Sequence, residues 1–195
     1  MRHVLFCACL LALLATLAAK PSRASSLTIV FEFEGQHSAR SLAAMKQELE
    51  DIMEPAGWTI ELRSRKEAER ASFDGNLVLV KFTGTCVLQP GTGVLEGGAR
   101  LAYTHMSDGV VLPFSEVACD QVAASVRSAM CAGDYARGDQ LLGRALGRVV
   151  AHELVHILSQ SQSHGKLGVE MRALSGRQLI APSLALDVAD LRRIQ

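Results

Sequence analysis

Residues 152–164 read HELVHILSQSQSH, and this run decides both the fold and the chemistry expected of the chain. It closes the clearest helical segment, GDQLLGRALGRVVAHELVHILSQ over 138–160. There Leu142, Leu146, Val149, Val150, Leu154, Ile157 and Leu158 recur at three- and four-residue steps. Residues four apart on a helix project from one face, one turn apart. His152 and His156 can therefore share one tetrahedral zinc ion at about 2.0 Å each. Glu153 is rotated about 100° around the helix from the first histidine, where a carboxylate reaches a water on such an ion without displacing it. Zinc brings the pKa of that water toward ~7, and the carboxylate accepts its proton as the water attacks a carbonyl. The two histidines and the glutamate sit in an apolar helix, where polar side chains are costly without partners. A metal supplies those partners; a hydrogen-bonded polar cluster is the plainer alternative.

His152-Glu153-x-x-His156 resembles the signature of the zincin metallopeptidases. The expected order of strand, helix, strands, hairpin and active-site helix is similar to the amino-terminal subdomain of the metzincin branch. The resemblance is specific over about residues 140–165 and topological elsewhere. It implies an α+β, minimal zincin-like fold: a twisted mixed β-sheet packed on an active-site helix and a backing helix. It further implies an edge strand able to pair with an extended peptide substrate, one Zn2+ per chain, and Glu153 as the catalytic base of a secreted zinc endopeptidase. Length and secretion fit small secreted bacterial zincin-like proteins.

The third ligand is where this sequence departs from the metzincin pattern His-Glu-x-x-His-x-x-Gly-x-x-His. Ser159 stands at the glycine position, Gln162 at that of the third histidine, and the next histidine is His164. In an unbroken helix His156 and His164 would lie about 12 Å apart along the axis. A ligand set of His152, His156 and His164 thus demands that the helix end within Ser159–Ser163, a polar, serine-rich run suited to a break. Gly165 would ease the turn. Glu170 is the competing third ligand and would give the His-His-Glu set of another zincin branch. Met171 is either the methionine found beneath the metal in metzincins or a core residue. His105 is an outside candidate for substrate contact, or a histidine on a hairpin surface. His37 precedes or caps the first helix.

Around this centre, SLTIVFEFEG (26–35), WTIELRSR (58–65) and NLVLVKFTG (76–84) read as strands. A helix is expected over 38–53. LAYTHM and VVLPF flank Asp108-Gly109, a hairpin signal. Further helices are expected over 115–132 and 184–194. QPGTGVLEGGA (89–99) reads as a flexible connection, since it lacks the Gly-Lys-Ser/Thr ending of a phosphate-binding loop. Gly143 and Gly147 fall on one helix face and suggest close approach of another element.

The chain begins with a basic start, an apolar run over 4–19 and small residues at Ser22 and Ala24. That order is expected of a signal peptide spanning 1–24, leaving one zincin-like domain over 25–195, secreted or periplasmic and without a membrane span. The segment 1–24 carries Arg2, Lys20 and Arg23 but no acid. Without it, 17 basic face 20 acidic side chains, a net of −3, which gives no electrostatic reason to bind nucleic acid. Cys86, Cys119 and Cys131 remain. Cys119 and Cys131 lie at opposite ends of an expected helix, about 18 Å apart, too far for a disulfide. Cys86 with Cys119 is the expected pair, against three free buried thiols. The function expected is hydrolysis of a peptide or protein substrate; the rival is a non-catalytic zinc-binding domain.

Overall fold

The computed structural model describes residues 25–73, 75–89 and 100–195. The expected signal peptide, and the glycine-rich connection from residue 90 to 99, lie outside the described residues. The fold is α+β, a five-stranded mixed sheet with helices packed against it. β1 (Ser25–Phe33) leads through α1 (Ala39–Met53) to β2 (Trp58–Ser64), which pairs parallel to β1. Ser38 caps α1, its hydroxyl accepting from the Ser41 N–H. A short α2 (Arg65–Ala68), opened by a Ser64–Glu67 capping box, precedes β3 (Asn76–Thr83) on the other side of β1. β4 (Ala102–Ser107) and β5 (Val110–Ala118) form an antiparallel hairpin. Its Asp108 and Gly109 both have positive φ, 50° and 80°, the geometry for which an Asp-Gly pair is favoured. β5 runs parallel to β3, giving the order β2-β1-β3-β5-β4, with β4 as the antiparallel edge strand among the described residues.

One departure concerns Ser115–Ala118, expected to start a helix. These residues complete β5, pairing with Val80–Thr83 of β3. Ser115 and Val117 are buried while Glu116 and Ala118 alternate outward, so sheet pairing overrides a local pattern that also fits a helix. The helix, α3, is Cys119–Ala129. Its first residue is joined to Cys86 by the expected disulfide, with Cα atoms 4.8 Å apart, and Cys131 is free and exposed.

α4 (Gly138–Ser159) runs behind the sheet with α1 packed along it. A Cβ on Gly143 would lie 2.2 Å from the Ser41 carbonyl oxygen, and one on Gly147 2.9 Å from that of Met45. The two glycines are thus required by the approach of α1. Leu142, Leu146, Val150 and Leu154 of α4 share one core with Met45 and Leu49 of α1 and with Leu27, Ile29, Val80 and Phe82 of the sheet. Buried Arg148 joins Glu48 of α1 at 2.6 Å and donates to the carbonyls of Gln178 and Ala181, so the C-terminal stretch is tied to the same two helices. That stretch holds α5 (Gly176–Ile180) and α6 (Val188–Ile194). The last helix is shorter than expected because Asp187, accepting from the Asp190 N–H at 2.8 Å, caps it there. Among the described residues no helix is long and apolar enough to cross a membrane.

Candidate metal centre

The helix break required by His164 is present and has a definite cause. Gln160 adopts a left-handed conformation (φ 48°, ψ 40°) at the end of α4. The Ser161 N–H donates to the His156 carbonyl and the Gln160 N–H to that of Ile157, the paired bonds of a Schellman turn. Glycine usually occupies such a position. Here the Gln160 amide also donates to the carbonyls of Ile157 and Val111, at 2.8 and 3.2 Å, anchoring the turn to β5. The chain then doubles back, and the His164 ring centroid lies 5.2 Å from that of His152 and 4.9 Å from that of His156. The donor atoms of the three rings fall within 4.8 Å of one another.

The histidines on α4 are oriented from behind. Nδ1 of His152 donates to the Val169 carbonyl at 2.9 Å, and Nδ1 of His156 to the Ser161 carbonyl at 2.7 Å. A carbonyl only accepts, so in both neutral rings the proton resides on Nδ1 and Nε2 carries a lone pair. The two Nε2 atoms face each other at 3.2 Å. With no proton between them, facing lone pairs at that distance repel unless a cation lies between. A tetrahedral ion bound at about 2.0–2.1 Å requires its nitrogens about 3.3 Å apart. This pair therefore fits a metal, and burial keeps it ready for one. His152 is held down to about 4, mainly by burial, and His156 and His164 are also lowered by burial first. At neutral pH all three are the uncharged rings that metal ligation needs.

Glu153 lies beside this pair at the bottom of a cleft of about 920 Å³. The walls of the cleft are β4, from Ala102 to Met106 (His105 excepted), and the segment Met171–Leu174. The edge strand supplies the partner of Glu153: the Thr104 hydroxyl donates to its Oε2 at 2.6 Å. The hydroxyl of buried Ser115 lies 2.8 Å behind Thr104 and can donate in turn. Burial lifts the Glu153 carboxyl to about 7, while the Thr104 hydrogen bond acts to lower it. A carboxyl balanced in this way can take up and release a proton near neutral pH.

The remaining expected residues separate clearly. Glu170 is not on the donor side of the histidines. It is fully buried behind them, nearer to their Nδ1 atoms, on a one-turn 3₁₀ segment (Gly168–Glu170) too short to carry it around to the cleft. Met171 lines the cleft and accepts from the Gln178 amide at 3.6 Å. His105 points to the other face of the sheet, stacked on Phe114 and 3.0 Å from Glu116. His37 stacks on Phe33 just ahead of α1. Sequence patterning does not single out Thr104, Ser115 or the two carbonyl acceptors; Thr104 is one polar residue of an alternating strand, and only the hairpin brings it over α4.

No protein-family model, curated protein or solved structure matches the chain.

Proposed function

We propose that the protein is a secreted or periplasmic zinc-dependent peptidase of the zincin kind, acting on peptide bonds. The observation that carries this reading is the pair of Nε2 lone pairs facing at 3.2 Å, joined by His164, with Glu153 on the same cleft. His152, His156 and His164 would hold the ion. When bound, zinc supplies Lewis-acid polarisation and acidifies water. The chain's own residues do the rest. Glu153 accepts the proton of the attacking water and returns it to the departing amine; Thr104 holds the carboxylate that does so. β4, the edge strand among the described residues, runs along the cleft and offers backbone groups to an extended peptide. A disulfide between Cys86 and Cys119 agrees with an oxidising compartment.

The rival, a purely structural zinc site, would be closed by a fourth protein ligand. Among the described residues no further His, Cys, Asp or Glu joins the three histidines. The test is to purify the mature protein, measure its zinc content and assay peptide hydrolysis. About one zinc per chain is expected, with Glu153→Gln keeping the metal and losing hydrolysis. A wild type that takes up no zinc would overturn the proposal.

A further inference from the structure

Glu170 is 0 % exposed, yet neither of its carboxyl oxygens meets a hydrogen-bond donor. Unmet buried polar atoms are uncommon and costly, about 1–3 kcal/mol each and more for a charged group. The neighbouring Asp190 is almost as buried but is held by Arg193 at 2.6 Å. Arg193 acts on Glu170 only through its field, from beyond ion-pair distance. The ion-pair-range neighbours of Glu170 among the described residues are two imidazoles: Oε1 lies 3.5 Å from Nδ1 of His156, and Oε2 lies 3.8 Å from Nδ1 of His152. One carboxyl thus straddles both rings on the side opposite their facing Nε2 atoms.

A core packed for stability alone would place an apolar side chain here, as it does with the adjacent, fully buried Val169. The location explains the acid better than packing does. Each Nδ1–H donates to a carbonyl, and the Glu170 carboxyl packs against the same edge of both rings without a hydrogen bond to either. Acceptors on that side fix the tilt of an imidazole and make its other nitrogen a stronger donor toward a metal. One buried side chain set against both rings is therefore placed to hold their tilt together.

We infer that Glu170 is a positioning residue of the metal centre, acting on His152 and His156 from behind to set their affinity for a divalent cation. The inference rests on the metal reading above but predicts a property that reading does not. It can be tested on mature protein stripped of metal, by titrating zinc against a chromophoric chelator and recording the thermal midpoint before zinc is added. Glu170→Gln should weaken zinc binding about 10- to 100-fold, while the metal-free midpoint stays level or rises. Glu170→Met, which fills the space without a hydrogen-bonding demand, should weaken zinc comparably and serves if Glu170→Gln does not fold. Cobalt(II) in place of zinc should show an altered absorption spectrum in both variants. Zinc affinity within twofold of wild type in either folded variant would overturn the role of Glu170 alone. So would a weakening matched by an equal loss of metal-free stability. A wild type without zinc affinity would instead overturn the metal reading itself.

Discussion

Glu153 and Glu170 are buried carboxyls on opposite sides of the same two imidazoles, and they are met in opposite ways. Glu153 faces the cleft and receives a hydroxyl from the edge strand. Glu170 faces the core and receives nothing. Both are held far above the ordinary carboxylate range chiefly by burial, to about 7 for Glu153 and about 8 for Glu170, where the charge of Asp190 adds to the effect. The contrast teaches that one local device, a desolvated acid beside histidine, suits both the reactivity proposed on one face and the ligand tuning proposed on the other. Access to solvent and the presence of a hydrogen-bond donor make the difference.

The largest expected effect separates the two acids by activity. Glu153→Gln should lower kcat about 10²- to 10⁴-fold, the usual contribution of a positioned acid–base group, with zinc stoichiometry unchanged. If Glu153→Gln hydrolyses peptides at the wild-type rate, the division of labour collapses. Next comes the ligand from the loop. His164→Ala removes a direct donor and should weaken zinc by more than the roughly 100-fold upper range for outer-shell partners, measured by the same chelator competition; unchanged affinity would return the search for a third ligand to other residues.

A smaller effect concerns the hydroxyl that distinguishes the acids. Thr104→Val should reduce kcat/KM about tenfold, in line with the loss of a hydrogen bond to a charged group. It should also move the acidic limb of the pH–rate profile to higher pH, because Thr104 lowers the Glu153 pKa. Zinc affinity should not change. An unshifted profile would show that Thr104 is only part of the cleft wall.

The smallest effect is a pH drift in stability of the metal-free protein. Glu153 and Glu170 bind protons to higher pH folded than unfolded. Their stabilising contribution is complete below about 4.5 and is lost as pH rises through about 7 and 8. His152 works the other way: its proton is taken up by the unfolded chain below 6.5, so stability falls as pH drops from 6.5 toward about 4. Above pH 6.5 only the acids matter. From pH 6.5 to 8 Glu170 should cost about 2 kcal/mol, roughly 5 °C in thermal midpoint for a domain of this size. Glu170→Gln should flatten that part of the curve. Equal slopes in the two proteins would remove the pH asymmetry between the acids.

Much of this arrangement is readable from residues alone, for identifiable reasons. The apolar period of 138–160 is strong enough to place α4 within one residue of its observed end. Asp108-Gly109 encodes its turn directly, and Gly143 and Gly147 mark where α1 must come close. Helical spacing brings His152, Glu153 and His156 together without tertiary information. The rest depends on contacts distant in sequence. Ser115–Ala118 fits helix and strand equally until β3 is beside it. Thr104 gains its role only through the hairpin. Glu170 looks like a ligand in the sequence, and the return of the chain after Gln160 puts it behind the rings instead. A capping box, Ser175–Gln178, was a local signal for α5 that the irregular surroundings hid.

The disulfide has a consequence for the cleft. The chain between Cys86 and Cys119, a separation of 33 residues, includes all of β4 and β5. The covalent link therefore clasps the wall that carries Thr104, while His152, His156 and His164 lie outside the clasped loop. On chain-entropy grounds, closing a loop of that length stabilises by about 4 kcal/mol. On the proposed reading, reduction should therefore loosen the cleft wall and leave the three histidines in place, so that thiol reagents lower peptide hydrolysis without releasing zinc.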